Sequence, residues 1–259
     1  MMRSWVTVSF TCKLCGSCCK NLRGRIKRSH EISPNLFMTV PMHLKTIPLF
    51  EWEVDNLTGE ARRLSINLKV KPDIIILDEK SGMPIVLFWN LEHEDCPFLS
   101  LNNRCIIHDK KPLVCQSFPL EIIGDSANHQ NPFVIRLGDC PNVNPRHYVD
   151  MPILMRRPAT SNDLQQAYGE TFIGALRFKR GMSLILNLWK NLEKKGMMRS
   201  AVISREIMEK ILRSKPIGLL KFSQSMGFTA KESFQNEVRQ IYSFKPSARE
   251  EGEIRIFSN

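Results

Sequence analysis

Four cysteines crowd into eight residues near the start of this chain: Cys12, Cys15, Cys18 and Cys19, spaced C-x-x-C-x-x-C-C. Thiolates are soft donors that suit zinc and iron–sulfur centres. A two-residue spacing lets successive sulfurs converge on one point, because the intervening turn also aims backbone N–H groups at them and offsets their charge. Gly16, between the second and third cysteines, fits a tight turn that needs positive φ or close approach. Four more cysteines follow. Cys96 precedes Pro97, Cys140 precedes Pro141, and Cys105 and Cys115 frame the run Ile106 to Val114. All eight are candidate metal ligands.

Three cysteines at two-residue spacing joined by a remote Cys-Pro is the arrangement that completes a cubane in bacterial-type ferredoxins. The three-plus-one pattern favours an iron–sulfur cluster of the [4Fe–4S] kind, one or two per chain. Structural zinc more often takes two separated pairs. The adjacency of Cys18 and Cys19 and the four remote cysteines keep zinc as the alternative. Adjacent residues rarely ligate one small ion comfortably, which leaves one of that pair for a second site or a supporting role. Eight thiols suffice for two four-ligand sites, or for one site plus several packed cysteines. Inert burial is the competing explanation, since cysteine is among the most buried residue types. It accounts for Cys105 or Cys140 singly more easily than for Cys12, Cys15 and Cys18 together. His108, three residues after Cys105, is either a ligand or donor to a thiolate or, the preferred reading, an aromatic-site substitute packed beneath the cluster. The run Glu92-His93-Glu94-Asp95 before Cys96 reads as a solvated turn rather than a carboxylate–histidine metal site.

The linked motifs C-x-x-C-G-x-C-C, then Cys96-Pro97-Phe98-Leu99, then Cys105-Ile-Ile-His108-x-x-Lys111-Pro112-x-x-Cys115-x-x-Phe118-Pro119 resemble the CxxCxxCC cysteine-cluster family. That family is described as zinc- or iron-chelating, and its members are often described as iron–sulfur proteins or Fe–S oxidoreductases. Flagellin lysine methylases carry a similar cluster. The resemblance covers roughly residues 8–145 and implies a metal site more readily than a reaction. An Fe–S oxidoreductase or an Fe–S-dependent modification enzyme is the activity it suggests, and the catalytic residues are unassigned. The chain departs from the family where Lys111-Pro112 replaces Arg-Pro, Gln116 replaces Arg, and His108 replaces Tyr. A long basic segment also follows Cys19. These changes bear on any role that needs arginine's bidentate fork and leave the thiols untouched.

The elements that must position these residues read as an α+β chain: a small cysteine-rich metal-binding domain with an antiparallel meander over residues 1–154, then an all-helical basic part over 155–259. Trp5 to Phe10 alternates apolar and polar residues, the period of a half-buried strand leading into Cys12. Pro34, Pro41 and Pro48 argue against one long helix there. Phe50 to Val54 and Leu64 to Val70 alternate, and Ile74 to Leu77 and Ile85 to Trp89 are buried-strand runs, with turns expected at Asn56 to Gly59 and Asp78 to Gly82. In the second part, Thr160-x-x-Asp163 is a capping box for a helix towards Arg180. Ser183 to Lys195 is helical and stopped by Gly196. Ser204 to Lys215 is helical and closed by Pro216. Leu219 to Met226 ends at Gly227, and Thr229-x-x-Glu232 opens a helix to about Phe244. The polar, charged last ten or so residues are expected to fray.

Composition bounds the function. With 259 residues, 42% hydrophobic and 24% charged, the chain is neither wholly disordered nor too small to build a core. No apolar run approaches the roughly 20 residues of a membrane span. Trp5 to Phe10 is too short and polar for a signal-peptide core, so a reducing cytoplasm is expected. Residues 1–154 carry 18 basic and 16 acidic side chains, and residues 155–259 carry 19 and 10. All eight cysteines lie in the first part. The basic half would attract phosphate backbones or acidic proteins. Nucleic acid through the basic C-terminal part and a redox partner protein are therefore candidate partners. No helix-turn-helix, aromatic RNA-binding signature or Gly-rich phosphate loop is present, and Phe222, Phe228, Phe234 and Tyr242 fall at helical intervals that suit a core. A methyltransferase-like activity on protein lysines lacks a Gly-rich motif that would hold a methyl donor.

Overall fold

The computed structural model describes residues 10, 12–20, 22, 30–33, 36–38, 47–124, 133–137, 140, 165, 168–202, 215–245 and 256–257. It is α+β. The chain forms two compact units, one from residues 1–18, 101–180 and 241–259, the other from 19–100 and 181–240.

The second of these units is built on a mixed sheet. Strands β1 (His30–Ser33), β2 (Leu36–Met38), β4 (Val70–Leu77), β5 (Pro84–Leu91) and β3 (Pro48–Leu49) lie in the order β1-β2-β4-β5-β3. The β4–β5 hairpin is its centre, with Ile76 opposite Ile85 and Leu77 opposite Pro84. β5 is buried at every position except Trp89, which is why it reads as a continuous apolar run. Its other edge receives β3 antiparallel and β8 (Ile217–Gly218) parallel. The turn expected at Asp78 to Gly82 is present. Asp78 Oδ2 accepts from the Ser81 N–H and hydroxyl, Asp78 Oδ1 accepts from Arg199 N at 2.8 Å, and Gly82 adopts φ +67°. Burial pushes the Asp78 carboxyl up, yet the hydrogen bonds from Ser81, Arg199 and Lys80 together outweigh it and hold the group below the usual range.

Residues 50–54 are not a strand. Phe50 is the extended residue before helix α1 (Glu51–Arg63), and Asn56 to Gly59 lie inside that helix rather than in a turn. The Glu53 carboxylate reaches back to accept the Phe50 N–H at 3.1 Å, so Glu53 closes the first turn. Trp52, Leu57 and Ala61 supply the buried stripe. The alternation of Phe50, Trp52 and Val54 is accidental, because Phe50 folds back to stack on Trp52 with centroids 4.5 Å apart. Residues 64–69 lie outside any strand, and β4 starts only at Val70.

The two helices expected around Arg180 and Ser183 are one. A continuous helix, α3, runs Glu170–Lys194. Gly181 does not break it. A Cβ there would sit 2.6 Å from Phe50 Cζ, so this glycine admits an aromatic ring and is placed for packing. The helix stops where expected, at Gly196 with φ +66°. Two shorter helices follow, α4 (Leu219–Ser225) and α5 (Lys231–Ser243), with Gly227 at φ +68° between them. Thr229 does not open the last helix. Its hydroxyl shares a short hydrogen bond with the Ser223 hydroxyl, and the helix begins two residues later. Phe222 and Phe234 are buried, and Phe234 meets Trp52 edge-on at 5.6 Å.

The other unit holds a three-stranded sheet. β6 (Leu120–Gly124) and β7 (Phe133–Leu137) form an antiparallel hairpin, and β9 (Ile256–Phe257) adds to β7 in parallel, so part of the terminal stretch expected to fray is paired. A short helix, α2 (Leu113–Ser117), precedes β6. The first part of α3 belongs here too. Arg177 donates from Nε and Nη2 to the Phe244 carbonyl, and the Arg180 guanidinium lies 3.6 Å from the Phe244 ring centroid. Trp5 to Ser9, Thr160 to Asp163, Ser204 to Ser214 and the division at residues 154/155 lie outside the described residues.

Candidate metal centre

The cysteine loop is shaped by two left-handed residues, Leu14 at φ 54° and Gly16 at φ 70°. Gly16 meets this demand without strain, as its position predicts, while Leu14 bears it with a side chain. A 3₁₀ turn over Ser17–Cys19 follows. Cys12, Cys15 and Cys18 are exposed and Cys19 is half-buried. The Cys15 thiol donates to the Ser17 hydroxyl at 3.3 Å.

Cys19 is tied by its backbone. Its carbonyl accepts the Cys96 N–H at 2.7 Å, and Leu22 N donates to the Glu94 carbonyl at 2.6 Å, so Cys19 and Leu22 lie beside residues 94–96. Cys96 is buried. Cys96-Pro97-Phe98-Leu99 closes a turn through Leu99 N and the Cys96 carbonyl at 3.0 Å, with Phe98 in the core. Proline suits the second position of such a turn.

Cys105, Cys115 and Cys140 are half-buried. A 3₁₀ turn, His108–Lys110, separates Cys105 from α2, which carries Cys115. Pro112 opens α2 and its carbonyl accepts Gln116 N at 2.9 Å. The Gln116 side chain then donates to the Lys111 carbonyl at 2.9 Å. Burial pushes the Cys105 thiol up and the neighbouring Cys18 adds to this, while the Ile107 N–H and the Lys111 ammonium pull the other way. Cys18 and Cys105 therefore lie within electrostatic reach of each other. Among the described residues, no three His, Cys, Asp or Glu side chains lie close enough together to hold a metal ion.

His108 does not pack beneath the cysteines. Its side chain is 41% exposed, with Nδ1 3.7 Å from Asp109 and Nε2 3.3 Å from Lys111 Nζ. His93 is also occupied, because its Nε2 accepts the Lys69 N–H at 2.8 Å. Glu92 faces Lys71 at 3.8 Å, and Glu94 and Asp95 are exposed, as a solvated turn requires. Two participants escaped the sequence reading, Ser17 as a thiol partner and Lys111 as the cation facing Cys105. Lys111 stood in the motif as a substituted arginine, which is the signal that could have marked it.

The donor set fits a thiophilic centre. All eight cysteines are thiols rather than disulfides, four of them within one short loop. Both iron–sulfur clusters and zinc accept such donors. The family model described as "CxxCxxCC: Putative zinc- or iron-chelating domain" matches residues 11–141, about half of the chain. No curated protein matches the chain. No solved structure does either.

Proposed function

The chain belongs to the CxxCxxCC family of zinc- or iron-chelating domains, and we propose that the metal it binds is an iron–sulfur cluster of the [4Fe–4S] kind, one or two per chain, used in redox or modification chemistry. The ligands would be drawn from Cys12, Cys15, Cys18, Cys19, Cys96, Cys105, Cys115 and Cys140. The observation that carries the reading is three cysteines at two-residue spacing combined with a remote Cys-Pro. When bound, such a cluster supplies one-electron transfer or a Lewis-acidic iron.

The chain's own residues do the rest. Leu14 and Gly16, both at positive φ, bend the loop that carries Cys12, Cys15 and Cys18. Ser17 orients the Cys15 sulfur. The backbone bond from Cys96 to Cys19 fixes the base of that loop. Lys111 brings positive charge towards Cys105, which favours its thiolate. A reducing cytoplasm is the compartment this reading implies. No described helix is long and apolar enough to cross a membrane.

Anaerobically purified protein should be brown, with broad visible absorption that bleaches on reduction and a paramagnetic signal in the reduced state. A colourless protein with stoichiometric zinc would overturn the iron–sulfur reading and favour a structural zinc site. The charge of residues 155–259, 19 basic against 10 acidic, supports a role for the helical half of such a zinc protein in binding nucleic acid or a protein partner. In that case single-stranded RNA binding should weaken steeply as salt rises.

A further inference from the structure

The family match ends at residue 141, yet a residue well beyond it stands against the residue that follows one of the cysteines. Gly174 lies on α3 and is buried. A Cβ at this position would sit 2.6 Å from the Gln116 carbonyl carbon, 2.6 Å from its oxygen and 2.9 Å from its Cβ. The first two are backbone atoms, so the obstacle is the peptide of α2 itself and not the movable end of a side chain. Gln116 is bonded to Cys115. α2 has little room to retreat, because Leu113 and Ser117 on either side of Cys115 are buried and Leu120 just beyond is fully enclosed. Gln116 also anchors the helix start through its bonds to Pro112 and Lys111.

We propose that Gly174 is a positioning residue for Cys115: its missing side chain lets α3 press against the backbone of α2 and so sets where the Cys115 thiol stands. This rests on the reading that Cys115 takes part in metal binding. Helix propensity and packing make opposite forecasts for Gly174→Ala. Alanine is the better helix former, so a glycine that served only the helix would be improved by the change. Where the glycine seats α2, the alanine would instead push aside the Gln116–Ser117 peptide, one residue from Cys115. α3 contains a matched control, since Gly181 is also buried and also admits a close neighbour, in its case the Phe50 ring.

The experiment compares the wild-type full chain with Gly174→Ala and Gly181→Ala. It measures the rate at which a chelator removes bound metal, and the rate at which iodoacetamide alkylates Cys115 relative to Cys12 in the metal-stripped chain. Gly174→Ala should lose metal about tenfold faster, the cost typical of disturbing a ligand's support. It should also shift the Cys115-to-Cys12 alkylation ratio. Gly181→Ala should lower the melting temperature and leave both readouts as in wild type. Unchanged readouts in Gly174→Ala, or equal changes in the two variants, would overturn the proposal. If wild type itself holds neither iron nor zinc, the metal reading fails while the alkylation ratio still decides the positioning. If Gly174→Ala does not fold, Gln116→Gly, which removes the Cβ that faces Gly174, is compared with Gln116→Ala, which keeps it. Gln116→Gly should raise Cys115 alkylation and speed metal loss beyond Gln116→Ala, and no difference between the two would refute the role.

Discussion

Cys12, Cys15 and Cys18 stand exposed, so on the proposed reading a metal held by them would supply much of their loop's order. A structural thiolate site contributes about 10–16 kcal/mol of apparent binding energy at neutral pH, comparable to the net stability of a domain. Cys15→Ser should therefore lose metal and destabilise residues 1–150. Elemental content and the melting curve check this, and full loading with an unchanged melt would refute it. The cysteine motif was legible because its spacing alone marks the family. Asp73 was not legible. Lys71-Pro72-Asp73 reads as a polar break between apolar runs, and only folding shows the carboxyl enclosed at an irregularity of β4, with Oδ1 lacking a hydrogen-bond partner among the described residues. Burial pushes Asp73 from 3.8 up to about 7, with Lys71 opposing. Its folded pKa is raised, so the unfolded chain ionises first. Stability should fall as pH rises from about 4 to about 7 and level off above, by about 4 kcal/mol. Urea melts across that range should show this slope reduced in Asp73→Asn, and an identical slope in the variant would exclude Asp73 as its source.

At the scale of elements, apolar runs of strand length bounded by an Asp-to-Gly turn announced β4 and β5 correctly. α1 was hidden because Phe50, Trp52 and Val54 alternate, while Asn56 and Gly59 imitate a turn inside it. A Cβ at Gly59 would meet nothing within 4 Å, and the φ of this residue is not positive. Gly59→Ala should consequently stabilise the protein by about 0.5–1 kcal/mol in a denaturant melt. A loss of stability would contradict the helix assignment there. The junction of α1 with α4 is less tolerant. The buried Glu51 carboxylate accepts Leu220 N at 2.9 Å and Lys221 N at 3.3 Å, and burial raises its pKa. A Cβ on Gly218 would collide with that carboxylate. Glu51→Ala leaves those amides without their acceptor and should cost about 1–3 kcal/mol. A melt indistinguishable from wild type would show that the amides find water instead. Nothing in the sequence pairs Glu51 with Leu220, because a contact across so many residues leaves no local pattern.

At the scale of the whole molecule, charge and cysteine content change near residue 155, whereas the compact units draw on interleaved segments, residues 1–18, 101–180 and 241–259 in one and 19–100 and 181–240 in the other. Composition reports which side chains a stretch carries. Packing decides which stretches meet, as when Ile217–Gly218 pairs with β5 or Ile256–Phe257 with β7. The α+β class and the cysteine motif were thus readable, and the long-range seams were not. The claim beneath all of this is that the thiols grip an inorganic centre. Its most direct test is iron, zinc and acid-labile sulfide per chain in anaerobically prepared full-length protein, with the native thiols titrated in parallel. Iron and sulfide should appear in equal amounts, about four of each per cluster, with the ligating thiols shielded. Neither iron nor zinc, with all eight thiols reacting at once, would contradict it.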